Sequence, residues 1–184
     1  MKQKLHYLLF SFIFFLSCSV FGQDISLYQQ FNGRYDFVFF GNTLNPQENS
    51  FQIAPVINTS ASANLNLTSN DVIEKAYLYW AGSGTGDLEV KLNGLTITPD
   101  RTFSHQRMVS GLTLDYFSAF KEVTTQVQAL GNGVYTLSEL DVTAFLADHF
   151  QRKTNFAGWA IIVVLYSIYC FYAFFLHKVA KKSV

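Results

Sequence analysis

The chain is poor in cysteine, and its two cysteines, Cys18 and Cys170, lie near opposite ends. Cys18 falls inside an apolar leader. No disulfide can therefore form within the mature domain, whose stability must come from packing. Zinc-type spacing of Cys and His is also missing. Charge of one sign is missing too: 13 Lys and Arg balance 13 Asp and Glu. No cluster of basic residues forms a stripe in the middle of the chain. That excludes a nucleic-acid role, which rests on concentrated positive charge against phosphate. There is no G-x-S-x-G elbow or equivalent nucleophile motif.

What is present begins with a leader. Lys2, Lys4 and His6 form a short positive region, followed by the uncharged run Tyr7 to Leu16. Ten residues are too few to span a bilayer as a helix, which takes about 20. Val20-Phe21-Gly22 supplies a cleavage site, so residues 1–22 read as a secretory signal peptide with Gln23 as the mature start. A buried N-terminal helix fits less well, because the run is apolar on all sides. Acylation of Cys18 is a further alternative, although Phe15-Leu16-Ser17 matches the expected lipoprotein box poorly. Removal of the leader leaves about 160 residues, enough for one domain with its own core.

The middle of the chain reads as β. Ser60 to Thr68 alternates, with Ala61, Ala63, Leu65 and Leu67 on one side and polar residues on the other. Leu88 to Pro99 reads as a hairpin about Asn93-Gly94, the pair favoured where both turn positions need positive φ. That turn sets Leu92 opposite Leu95 and Val90 opposite Ile97 on one side, with Lys91 opposite Thr96 on the other. Val72 to Trp80 becomes apolar on both faces, as a central strand does. Arg34 to Phe40, Gly133 to Leu137 and Trp159 to Val164 read as further strands. Phe120, Val123, Val127 and Leu130 recur at near-helical spacing, and Gly131-Asn132-Gly133 stops the run. A second short helix is expected over Ala144 to Phe150, with Asp141 or Thr143 as its N-cap. The fold class is mainly β: a β-sandwich of jelly-roll or immunoglobulin-like type over residues 23–164, with one or two short helices.

The candidate chemistry is sparse. Gly82 to Asp87 is glycine-rich, but it leads into a strand and carries no lysine, so it reads as an inter-strand loop and not a phosphate cradle. Asp87 is a candidate calcium contact. His105 and His149 stand alone, without ligand spacing. Ser104 beside His105 does not make a nucleophile and base, since strand neighbours face opposite ways. The acids Asp71, Glu74, Asp87, Glu89, Asp100, Asp115 and Glu122 are scattered, and a glycosidase pair would have to meet in space. Tyr77, Tyr79 and Trp80 are candidate sugar-binding aromatics, read against the alternative that at least two of them are core. No cofactor and no resident metal are expected, and no catalytic activity.

Three segments carry a resemblance: Ile73 to Leu92 (IEKAYLYWAGSGTGDLEVKL), Phe117 to Leu137 (FSAFKEVTTQVQALGNGVYTL) and Asn155 to Val164 (NFAGWAIIVV). Together they resemble the N-terminal β-sandwich region of large secreted, adhesin-like surface proteins. Those proteins end in a gliding-motility-associated, type IX secretion sorting domain. The resemblance implies surface display and a matrix or adhesion role, and it brings no catalytic residues. In that family the strand matching GWAIIVV is followed by Tyr and polar loop residues, then by further modules and the sorting domain. Here Leu165 follows, then an apolar run to Leu176.

Two readings of the tail, residues 165–184, stand side by side. Phe156 to Leu176 is 21 residues without charge, long enough as a helix to cross the hydrocarbon core. Lys178, Lys181 and Lys182 would keep its far end cytoplasmic, leaving a periplasmic domain on a single C-terminal anchor. The preferred reading is a frameshift near Val164 that truncates a larger surface protein, because a recognisable strand changes character in mid-element. The expected function is a non-catalytic, exported cell-surface or secreted adhesion module. A carbohydrate-binding module and a membrane-anchored periplasmic domain are the alternatives. The partner is an unidentified surface, matrix or polysaccharide.

Overall fold

The computed structural model describes residues 26–49 and 56–167. The proposed signal peptide, Cys18, Cys170 and the tail beyond Ser167 lie outside the described residues. The chain divides into two compact units, Met1–Asn32 and Gly33–Val184. Of the first, residues 26–32 are described, and they carry no helix or strand.

The second unit is mainly β. Its strands are β1 (Tyr35–Thr43), β2 (Ser60–Leu65), β3 (Asp71–Ser83), β4 (Val90–Leu92), β5 (Leu95–Ile97), β6 (Arg101–Val109), β7 (Leu112–Glu122), β8 (Gly133–Ser138) and β9 (Ala157–Ser167). Helix α1 is Thr124–Leu130 and α2 is Leu146–Phe150, the latter entered through a 3₁₀ turn, Thr143–Phe145. The strands form two sheets, one of five strands in the order β1-β9-β3-β7-β6 and one of four in the order β2-β8-β4-β5. Every pairing between them is antiparallel.

Both sheets bury one face in a single apolar cluster, an arrangement consistent with a β-sandwich. The five-stranded sheet contributes Ala76, Leu78 and Trp80 from β3, and Trp159, Ile161 and Val163 from β9. The four-stranded sheet answers with Leu65, Val90, Leu92, Tyr135 and Leu137. The alternation read in β2 holds: Ala61, Ala63 and Leu65 turn inward while Ser60, Ser62 and Asn64 stay exposed. The hairpin register also holds, with Val90 opposite Ile97, Lys91 opposite Thr96 and Leu92 opposite Leu95. Asn93 and Gly94 both take positive φ, 49° and 81°. Leu95 sits at the tip and stays exposed.

Three sequence readings need correction. Phe120 belongs to β7 and not to a helix; α1 starts four residues later, with Val127 as its buried residue. Spacing of three and four residues cannot separate a strand end running into a helix from one longer helix. Gly131 does end α1, at φ 64°, its N–H bonding the Val127 carbonyl at 2.8 Å. Neither Asp141 nor Thr143 caps α2. Asp141 instead accepts the Thr143 N–H (2.8 Å) and hydroxyl (2.6 Å) ahead of the 3₁₀ turn. Those bonds hold its carboxyl below the usual carboxylate range. Finally, the last strand runs from Ala157 to Ser167, longer at both ends than the Trp159 to Val164 read from the sequence. It lies between β1 and β3 and pairs with both.

Candidate functional site

The face of the five-stranded sheet turned away from the core is lined by aromatic and small residues, and cross-strand register sorts them into rows. One row runs Gly41, Ala160, Tyr79, Phe120, Arg101 across all five strands. The next row, two residues along, runs Thr43, Gly158, Ala81, Ser118, Phe103. A third is formed by Phe156, Ser83, Tyr116 and His105, with the Ser83 N–H bonded to the Phe156 carbonyl at 2.9 Å. The middle row is small from β1 to β7, and each row beside it carries a bulky ring at the trough, Tyr79 on one side and Phe156 on the other. A shallow trough of about 420 Å³ results, lined by Thr43, Tyr79, Ala81, Ser118, Phe156 and Gly158 among others. Strand spacing of about 4.8 Å makes its floor about 14 Å long from β1 to β7.

The walls are Tyr79 and Phe156, exposed by 41% and 40%. Each is braced from behind. The Tyr79 ring packs on Phe120 at 5.1 Å between centroids, and Phe120 stacks in turn on Tyr77 at 5.6 Å. Phe156 stacks on Tyr116 at 6.1 Å. The backbone around Phe156 is clamped by polar groups. Its N–H donates to the Ser83 hydroxyl (3.0 Å), and that hydroxyl donates to the Thr154 carbonyl (3.0 Å). The Asn155 carbonyl accepts from the amides of Asn45 (3.1 Å) and Asn49 (2.7 Å). The Ala157 N–H donates to Asn45 Oδ1 (3.1 Å). A wall fixed this way loses little conformational freedom when a ligand arrives.

His149 supports the same wall from below. It is buried, with Nδ1 3.1 Å from the Thr154 hydroxyl and its ring edge-on to Tyr116 at 5.2 Å. Burial pushes its pKa below the ordinary histidine value, outweighing the opposing effects of Thr154, Asp148 and Asp115. Tyr79 is shifted upward, again mainly by burial, with the Arg101 guanidinium pulling the other way.

The three candidate aromatics part company here. Trp80 is only 1% exposed; it faces the core and donates Nε1–H to the Asp87 carbonyl at 2.9 Å. Alternation puts it on the opposite face from Tyr77 and Tyr79, so the three do not share one platform, and Trp80 and Tyr77 are the two that are buried. Tyr77 lies on the outer face but is buried beneath its neighbours. Only Tyr79 is presented to solvent. Asp87 accepts the Asp141 N–H at 2.7 Å, and among the described residues no group of three or more potential ligands gathers around a metal position. Ser104 and His105 face opposite sides of β6. Among the scattered acids, Asp71 holds Thr68 (2.8 and 2.7 Å), Asp100 pairs with Lys121 (2.7 Å), Asp115 accepts from Gln106 (2.7 Å) and Glu122 pairs with Lys75 (2.6 Å). Glu74 and Glu89 are exposed.

Sequence reasoning missed Phe156, Ser118 and the small floor. Phe156 sat at the start of an apolar run and carried no signal distinguishing it from that run. The floor residues come from four strands, and only register aligns them. No family model, no curated protein and no solved structure matches the chain. Among the described residues, no helix is long and apolar enough to cross a membrane.

Proposed function

We propose that this chain is an exported, surface-displayed recognition module that binds its ligand without transforming it, through the outer face of the five-stranded sheet. The observation that carries this is the apolar surface left open there. Besides Tyr79 and Phe156, β1 presents Phe37 and Phe39, exposed by 61% and 73%. Monomeric proteins rarely leave contiguous aromatic surface in water unless something binds it. The sequence resemblance to adhesin-like surface proteins points the same way, as does the leader.

The finer architecture we infer is a jelly roll. With β6 set aside as an added edge strand, the remaining eight renumber to 1-8-3-6 and 2-7-4-5. That is the interleaving of a jelly roll and not of an immunoglobulin-like sandwich. The carbohydrate-binding reading is favoured by one specific feature, the trough with its two braced aromatic walls. The anchored-domain reading has less support. A helical span over residues 156–176 would remove β9 from between β1 and β3 and bare the core-facing side chains of both neighbours.

The test is retention of the chain on insoluble extracellular polysaccharide, compared among wild type, Tyr79→Ala and Phe156→Ala. Both variants are expected to elute early while keeping the wild-type circular dichroism spectrum and unfolding midpoint. Unchanged retention in both would contradict the assignment of the binding face.

A further inference from the structure

The Phe156 wall, on which the proposed binding face depends, is backed by a buried histidine that reaches it along two routes. His149, on α2, is 2% exposed. The first route is polar and runs through Thr154. The Thr154 N–H donates to the His149 carbonyl (3.1 Å), and its hydroxyl lies 3.1 Å from His149 Nδ1. The Thr154 carbonyl accepts the Ser83 hydroxyl (3.0 Å), and the Ser83 oxygen accepts the Phe156 N–H (3.0 Å). The second route is aromatic. The His149 ring stands edge-on to Tyr116 at 5.2 Å, and Tyr116 stacks on Phe156 at 6.1 Å. Displacing the imidazole therefore disturbs both the backbone and the ring of Phe156. The turn between His149 and Thr154 holds Lys153 at φ 54°, a left-handed conformation that is costly for a residue with a Cβ. Such a turn persists only while the bonds around it hold, and it relaxes once they part.

Charge on the ring is what displaces it. Burial leaves the imidazole almost no water, so a cation there loses hydration that the Thr154 hydroxyl and an aromatic edge do not replace. The charged groups around it come from its own helix, from β7 and from the turn that follows. Asp148 precedes it on α2, and Asp115 lies on β7, where it also accepts from Gln106 (2.7 Å). Arg152 lies in the turn and donates to the Val109 and Asp148 carbonyls, both at 3.2 Å. The carboxylates favour a charged ring and the guanidinium opposes it, but burial outweighs them and keeps the imidazole neutral. We infer that His149 is a positioning residue for the Phe156 wall and that its protonation releases that wall. An open form in which the imidazole meets water takes up a proton more readily than the closed one. A fall in pH through about 6.5 therefore shifts the population toward the open form. On the reading of the outer face as the binding site, that release removes one side of the trough and weakens binding in acid.

Carbene labelling of the full-length chain in a mild non-ionic detergent, read residue by residue, follows the wall without any ligand. Between about pH 7.5 and 5.5 labelling of Phe156 is expected to rise severalfold, while buried Trp80 and Leu137 stay unlabelled. His149→Gln, whose amide can meet the Thr154 hydroxyl, is expected to hold Phe156 labelling flat across that range. Thr154→Val cuts the polar route and is expected to raise Phe156 labelling already at the upper pH, with unfolding midpoints measured for both variants. A flat wild-type profile overturns the inference. So does a rise that persists in His149→Gln, which would assign the titration to Asp115 or Asp148. A rise shared by Trp80 and Leu137 marks global unfolding and overturns it as well. Retention of the wild type on insoluble polysaccharide is expected to weaken over the same range and to lose its pH dependence in His149→Gln. Retention absent at every pH, with the Phe156 profile intact, would remove the proposed binding face and leave the histidine brace standing.

Discussion

Tyr79 and Trp80 are adjacent in sequence and have opposite fates. One rests on Phe120 and faces water; the other fills the core and ties its indole to the loop at Asp87. Substitution separates the two roles. Trp80→Ala is expected to cost about 3–5 kcal/mol, read from urea unfolding, because a fully buried ring leaves a cavity. Tyr79→Ala should cost much less and act on binding. A Tyr79 variant as unstable as the Trp80 variant would show that the outer ring is structural. His149 makes a second residue-scale prediction. Its folded pKa lies below the unfolded value of about 6.5, so the unfolded chain takes up protons first as pH falls. The His149 contribution to stability is therefore intact above that value and is lost as pH drops from there toward the depressed folded pKa. The unfolding midpoint should fall between pH 7.5 and 5.5 and flatten in His149→Gln; an unchanged slope in the variant would contradict it. Asp100 and Asp141, held below the usual carboxylate range, act only at more acid pH and do not share this window.

Elements whose logic is local were legible in the sequence. The β4–β5 turn is one, because Asn93-Gly94 chemistry and the register of Val90 and Ile97 agree. Gly94 has no neighbouring atom within reach of an added Cβ, so only its backbone conformation constrains it. Gly94→Ala is expected to cost about 1 kcal/mol with an unchanged urea m-value, and a neutral effect would mean the turn is not under that constraint. β2 was legible for the same reason, one wet face and one dry. β6 was not, because most of its side chains are exposed on both faces and leave no alternation to read. β7 was partly hidden by the helix-like spacing that runs from Phe120 into α1. The trough lay beyond any local reading, since its floor takes one residue from each of four strands. Phe156 became a wall only because the segment returning from α2 is clamped by Ser83, Asn45 and Asn49.

At the largest scale, the two-sheet fold buries one face of each sheet in a shared core and leaves the other face of the larger sheet unusually aromatic. The mainly β class was legible from strand patterns alone. The sheet order was not, because antiparallel neighbours such as β1 and β9 lie more than a hundred residues apart in the chain. Export is the further expectation at this scale: an epitope-tagged chain should be cleaved when intact cells are treated with protease, and full protection would contradict surface display. The central claim is that the outer face of the five-stranded sheet is where the ligand binds. The most direct measurement is carbene footprinting of the chain with and without bound polysaccharide. The account predicts protection at Tyr79, Ser118 and Phe156, with Leu95 and Val134 on the smaller sheet unaffected. Protection confined to that smaller sheet, with Tyr79 and Phe156 still fully labelled, would contradict it.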